Sequence, residues 1–357
     1  MYKVISSLLA LGIAATVQAQ SLQATHYAVQ YEGRIVKSYD SGQVQFNWPG
    51  SYFKTKLIGR SIDIELTGYG DQFDILVNGR FHKKIVTDYS GQPQSFELFS
   101  QETASEVLVE VVKRTENYDE FATIHSFNVD GRLEGVWQNQ KHILYIGDSI
   151  SAGFGSESNK RQCTWSEVVE TSNARVAFPY VASQALNTSF TQVSFSGLGL
   201  IRNWAGNQTH HDLAYYYDRA GGVYGTNKLY QGTYPDLIVV EVGTNDFSTD
   251  PQPHEPWDDI TQVQQAWVDE MVSFVGTLRS RYPDRTIVFM PRPAYPYDVI
   301  ISSTEQAIKR LQQQGESNLY SHSFNSQLSG CIWHPTKAEH QQIASELVKF
   351  IHDKELL

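Results

Sequence analysis

Sulfur is scarce in this chain: its 357 residues include two cysteines, Cys163 and Cys331, and three methionines. With no third cysteine and no histidines grouped at ligand spacing, a structural zinc site is not expected, nor any other metal or cofactor. Positive charge is also short, with 28 Lys and Arg against 39 Asp and Glu. The resulting net charge of −11 argues against nucleic acid or an anionic membrane as partner and for a neutral substrate. Apolar runs of membrane-spanning length are missing too. The stretch Val4 to Val17 is too short, and Ser6, Ser7 and Gly12 interrupt it. Lys3 before it and Val17-Gln18-Ala19 after it make residues 1–19 an export signal, cut before Gln20, so a secreted or periplasmic protein is expected. Export permits a disulfide between the two cysteines but leaves it open, because pairing depends on a Cα separation that no sequence shows. There is no internal repeat and no low-complexity tract. What remains, 41% apolar and 19% charged, is the composition of a globular protein, long enough for two cores.

Two patterns divide the rest. From Gln20 to Trp137, apolar and polar residues alternate, as in Val44-Gln45-Phe46-Asn47-Trp48 and Ile62-Asp63-Ile64-Glu65-Leu66, with turn residues every ten or so positions. Period-two alternation so punctuated predicts an all-β sandwich or jelly roll over 20–137, with Asn78-Gly79 as its clearest hairpin turn. From about residue 138 to 357 the apolar runs lengthen. Strands are predicted at Ile143–Ile146, Gln192–Phe195, Leu237–Val242 and Thr286–Met290. Helices are predicted at Pro179–Leu186, Thr261–Arg279, Thr304–Gln313 and Lys337–His352. That alternation implies an α/β domain with a parallel sheet covered on both faces, whose ligands bind beyond the carboxyl ends of the strands.

The chemistry gathers at those ends. Gly147-Asp148-Ser149-Ile150 follows the first strand, and the small residues Ser151, Ala152 and Gly153 after it leave room for a substrate carbonyl. Gly243-Thr244-Asn245-Asp246 ends the third strand, and His334-Pro335-Thr336 precedes the last helix. Asp148 and Asp246 read as loop braces, and His340 as lying on the outer part of the last helix. This set resembles the SGNH (GDSL-like) hydrolases. The resemblance implies Ser149 as nucleophile, His334 as general base, and an oxyanion hole formed by the Ser149 and Gly197 amides and the Asn245 side chain, with Gly199 the alternative glycine. Those enzymes place an Asp two or three residues before the histidine, where this chain has Ile332 and Cys331. We therefore favour a Ser-His dyad with a backbone carbonyl on Nδ1 over a carboxylate distant in sequence.

A β module followed by such a domain is similar to carbohydrate esterase family two. Further likeness lies in Phe46-Asn47-Trp48-Pro49-Gly50-Ser51, Cys163-Thr164-Trp165, Ser196-Gly197-Leu198-Gly199, Arg202-Asn203 and Cys331-Ile332-Trp333-His334-Pro335. The resemblance implies a jelly roll joined to a three-layer SGNH-type deacetylase domain, and acetylated plant cell-wall polysaccharide such as xylan or mannan as substrate. Asn203 to Asp236 is long for a connection and rich in Gly and aromatic residues. Trp204 and Tyr224 from it, and Trp333 beside the histidine, are candidate sugar contacts, while at least half of the segment's rings are expected only to pack it. Two rivals stand: a lipid esterase or thioesterase, and a carbohydrate-binding protein with little turnover.

Overall fold

The computed structural model describes residues 19–137, 140–222, 229–230 and 232–357. The expected leader, apart from Ala19, and Tyr224 lie outside the described residues. Nine antiparallel strands come first among the described residues: β1 (Gln20–Gln23), β2 (Gln30–Glu32), β3 (Val36–Ser38), β4 (Gln43–Phe46), β5 (Tyr52–Thr67), β6 (Gln72–Val77), β7 (Arg80–Val86), β8 (Gln94–Lys113) and β9 (Ala122–Glu134). They form one hydrogen-bonded sheet with the backbone order β3-β4-β9-β5-β8-β6-β7, which encloses a core of Val44, Phe46, Ile62, Ile64, Leu66, Phe127 and their neighbours. The alternation in the sequence is thus the inward and outward alternation of a sandwich. Register breaks between Gly59 and Ser61 bend the long strands. Gly59 and Gly131 face each other there, and a Cβ on either would lie within 2.3 Å of the opposite strand's backbone oxygen. Asn78 and Gly79, at φ 51° and 74°, make the left-handed two-residue turn joining β6 to β7.

The second sheet is wholly parallel. It consists of β10 (His142–Gly147), β11 (Ser189–Ser194), β12 (Leu237–Glu241), β13 (Thr286–Phe289) and β14 (Leu319–Ser321), in the order β11-β10-β12-β13-β14. β14, only three residues long, carries too little pattern to be read from sequence. Seven α-helices among the described residues accompany the sheet: α1 (Ser149–Ala152), α2 (Trp165–Thr171), α3 (Phe178–Ala185), α4 (Leu213–Tyr216), α5 (Ile260–Arg281), α6 (Ile300–Gln313) and α7 (Lys337–Asp353). Alternate residues of β10 serve opposite layers. Leu144 and Ile146 pack with Val263, Trp267 and Ile300 from α5 and α6, whereas Ile143 and Tyr145 pack with Phe178, Ile343 and Leu347 from α3 and α7.

The order reverses at β10, whose neighbours β11 and β12 lie on opposite sides, so a crevice opens above its carboxyl end. The two sheets are not independent. Trp48, just past β4, is fully buried among the parallel sheet's side chains and stacks on Phe195, with centroids 4.4 Å apart. His340 corrects the expectation of an outward position: it is buried, and its Nδ1 accepts the Phe178 N–H at 3.3 Å. The reason is spacing, since His340, Ile343, Ala344, Leu347 and Ile351 make up the inner stripe of α7.

Candidate active site

Each strand bordering the crevice delivers one group of the site. β10 ends at Gly147, and Asp148 caps α1 by accepting the Ile150 N–H at 2.9 Å, which turns Ser149 into the crevice. Ser149 is 4% exposed and its Oγ lies 2.7 Å from His334 Nε2. On its other side the imidazole meets the Ile332 carbonyl at 2.8 Å and the Cys331 carbonyl at 3.2 Å through Nδ1. A carbonyl only accepts, so Nδ1 carries the proton, Nε2 is bare, and the serine hydroxyl donates to it. No carboxylate among the described residues hydrogen-bonds this imidazole. Burial pushes His334 down to about 4, and the Arg292 guanidinium adds to the effect while the two carbonyls oppose it. Beneath the serine, burial pushes Asp148 and Asp246 up to about 6.

The histidine's backbone setting is strained. Ile332 and Trp333 hold φ of 48° and 53°, a left-handed conformation that a β-branched residue such as Ile rarely adopts. What holds them there is local. Cys331 is bonded to Cys163, with Cα atoms 5.4 Å apart, and the Ile332 N–H donates to the Arg161 carbonyl at 2.8 Å. Gly155 makes room, since a Cβ there would lie 2.4 Å from Cys331 Cβ. Replacing both cysteines with serine is expected to cost about 2–5 kcal/mol of stability. Turnover is expected to fall as well, because the carbonyls that orient His334 belong to the bridged segment. Thermal melts and kcat of the double variant check this, and a variant melting with the parent would count against it.

The oxyanion side comes from the other two strands. Beyond β11, Gly197 has φ 79° and lines the cavity with Ser149, Asn245 and His334. Gly199 is committed elsewhere, its N–H going to Asn203 Oδ1 at 3.0 Å. Asn245, 4% exposed beyond β12, donates through Nδ2 to the Leu198 carbonyl at 2.8 Å, which leaves its second amide hydrogen for the site. Asp246 braces the same loop by accepting the N–H groups of Leu200, Ile201 and Arg202 at 2.9–3.1 Å.

Above these groups lies a cavity of about 700 Å³. Trp204 forms part of its wall, whereas Trp333 is exposed beside the histidine and does not line it. Of the connecting segment's buried rings, Tyr217 and Tyr230 serve packing, whereas Tyr216 also lines the cavity. Sequence reasoning missed Trp165, just past Cys163, and Tyr69, Tyr89 and Tyr118 from the antiparallel domain, all of which line the cavity. For Trp165 the Cys163-Thr164-Trp165 run was a usable signal. For the three tyrosines there was none, since only the docking of the domains brings them here.

Comparison with known proteins agrees with this geometry. Residues 31–134 match the carbohydrate esterase 2 N-terminal family, and residues 145–319 match the GDSL-like lipase/acylhydrolase family. Two acetylxylan esterase/glucomannan deacetylases of Cellvibrio japonicus are similar to the chain along most of its length. One is 25% identical across 90% of both chains, and the other 28% identical across 86% of this chain and 84% of its own. Solved family two carbohydrate esterases share the fold. One from Cellvibrio japonicus has a TM-score of 0.78 at 24% identity, covering 94% of this chain and 98% of its own. Another, from Clostridium thermocellum in complex with cellohexaose, has a TM-score of 0.80 at 22% identity, covering 92% and 100%. The class so defined is a GDSL-like hydrolase of carboxylic esters. A carbohydrate esterase 2 N-terminal domain stands ahead of that hydrolase domain, and the chain as a whole shares the fold of the solved family two carbohydrate esterases.

Proposed function

We propose that the protein is an exported serine esterase, with residues 1–19 as leader and the domains dividing near residue 138, that removes acetyl groups from plant cell-wall polysaccharide. The observation that carries this is the 2.7 Å contact between Ser149 and His334 at the floor of a cavity walled by Tyr69, Tyr89, Tyr118, Trp165 and Trp204. Aromatic faces suit sugar rings. The acetylxylan and glucomannan activities named for the curated relatives point to the same substrates.

In this reading Ser149 Oγ bonds to the ester carbonyl carbon as its proton passes to His334 Nε2. The Ser149 and Gly197 amides and Asn245 Nδ2 hold the oxyanion. Collapse breaks the bond to the sugar oxygen, which leaves with the proton from His334. Water then attacks the acetyl-enzyme, giving its proton to His334, and acetate departs while the proton returns to Ser149. The Ile332 and Cys331 carbonyls keep the imidazole in one tautomer throughout.

The test is acetate release from acetylated xylan and acetylated glucomannan, set beside hydrolysis of long-chain 4-nitrophenyl esters. Saturable acetate release, lost in Ser149→Ala, is expected. A preference for the long acyl chains would replace this reading with a lipid esterase.

The base must be neutral to act, and it is held at about 4, so kcat/KM should stay independent of His334 protonation through mildly acid pH. Below about 4 it should fall about tenfold per pH unit, as the neutral fraction does. A pH–rate profile whose acid limb had its midpoint near the ordinary imidazole value of about 6.5 would contradict this.

A further inference from the structure

The turn Phe195–Leu198 presents Gly197 to the crevice. Its Leu198 N–H returns to the Phe195 carbonyl at 3.2 Å, and a positive φ at Gly197 alone of the two central residues marks a type II turn. Types I and II differ by a flip of the central peptide, here Ser196 to Gly197, and a glycine in the third position makes that flip easy. In a trans peptide the C=O and the following N–H point in opposite directions. Whatever holds the Ser196 carbonyl therefore aims the Gly197 amide.

What holds it belongs to the other domain. The Tyr118 hydroxyl donates to the Ser196 carbonyl, and Glu116 Oε2 accepts the Ser196 N–H at 2.7 Å. The Tyr118 ring also packs on Phe195, with centroids 4.6 Å apart. The rest of the turn is engaged as well: the Gly197 carbonyl accepts the Trp204 N–H at 2.9 Å, and the Leu198 carbonyl takes Asn245 Nδ2 at 2.8 Å. From Ser196 to Leu198 the Gly197 N–H is the one backbone group without a partner among the described residues.

We propose that Tyr118 and Glu116 are positioning residues of the oxyanion hole: by gripping both sides of Ser196, the N-terminal domain fixes the peptide that aims the Gly197 N–H at the substrate. The inference rests on the esterase reading and adds to it that this domain takes part in rate as well as in substrate contact. The wild-type conformation is then catalytic because two side chains from the β8–β9 connection of the other domain select one of two turn types.

Tyr118→Phe keeps the ring against Phe195 and removes only the hydroxyl. With the full-length protein, kcat is expected to fall about 10- to 100-fold, less than the ~10²- to 10³-fold of deleting a donor outright. KM should stay within about twofold of the parent, and the loss should be equal on 4-nitrophenyl acetate and on acetylated glucomannan, because the turn acts on the transition state. A second pair guards against misfolding. Glu116→Gln retains an acceptor for the Ser196 N–H and should keep kcat near the parent value, whereas Glu116→Leu should lose about tenfold or more, with melting temperatures recorded for each. Unchanged kcat in Tyr118→Phe, or a rise in KM confined to the polysaccharide, would overturn the positioning role while leaving the esterase intact. Wild-type protein that turned over neither substrate would overturn the esterase reading and this inference with it.

Discussion

Ser149→Ala lowers ester turnover by roughly 10⁴-fold or more while leaving the fold and polysaccharide binding in place. The size follows from what the hydroxyl does. It is the atom that bonds to the carbonyl carbon, and its removal leaves only the oxyanion donors and a water in its place, the residue of catalysis that survives loss of a nucleophile in such sites. The structural cost is small. Ser149 sits in ordinary helical backbone at the start of α1, alanine fits there, and His334 keeps its two carbonyl partners when the Nε2 contact is gone. Acetate release together with affinity for the unhydrolysed polysaccharide separates the two effects. A variant retaining a tenth of parental activity would mean that another group is the nucleophile, and one that lost binding as well would mean that the substitution had disturbed the cavity.

Asn245→Ala is the second large effect, about 10²- to 10³-fold in kcat with KM little changed, because a donor aimed at the developing oxyanion acts mainly in the transition state. Asn245 does two things at once. One amide hydrogen ties the Leu198 carbonyl, and so the Gly197 turn, to the end of β12, while the other faces the site. Asn245→Asp should therefore be at least as damaging as alanine despite its shape. It removes both N–H groups and sets an anion against the Leu198 carbonyl and the oxyanion alike. Initial-rate measurements on 4-nitrophenyl acetate decide the point, and an aspartate variant more active than the alanine one would show that Asn245 serves structure alone.

The carboxylate-free support of His334 also has an energetic side. A backbone carbonyl fixes the imidazole tautomer as well as a carboxylate would, but offers no full charge to stabilise the imidazolium, and burial lowers the pKa to about 4 in this setting. The gain is a base that remains neutral in acid. The cost is a less stabilised protonated intermediate, which places more of the catalytic burden on the oxyanion donors and on whatever aims them.

From the chain alone it was possible to place Ser149, Asn245 and His334, the two sheets and the four long helices. Each depends on near neighbours: an apolar run that ends in small residues, an alternation of period two or 3.6, and the place of His334-Pro335-Thr336 just ahead of α7. Expectations went astray where the local signal was thin. β14 has three residues, and His340 is a polar side chain on a buried stripe. Tertiary structure alone decided the rest. That carbonyls hold His334 depends on backbone angles at Ile332 and Trp333, which no side-chain pattern announces. That Gly197 and not Gly199 is available depends on where the N–H of Gly199 is already engaged. The cleft itself draws Tyr69, Tyr89 and Tyr118 from the other domain, and the grip on Ser196 spans 78 and 80 residues of sequence. These contacts cross from one domain to the other, so no local pattern in the sequence announces them. A sequence therefore shows the reacting groups, which sit at the ends of their own strands, but not the walls and supports brought to them from elsewhere.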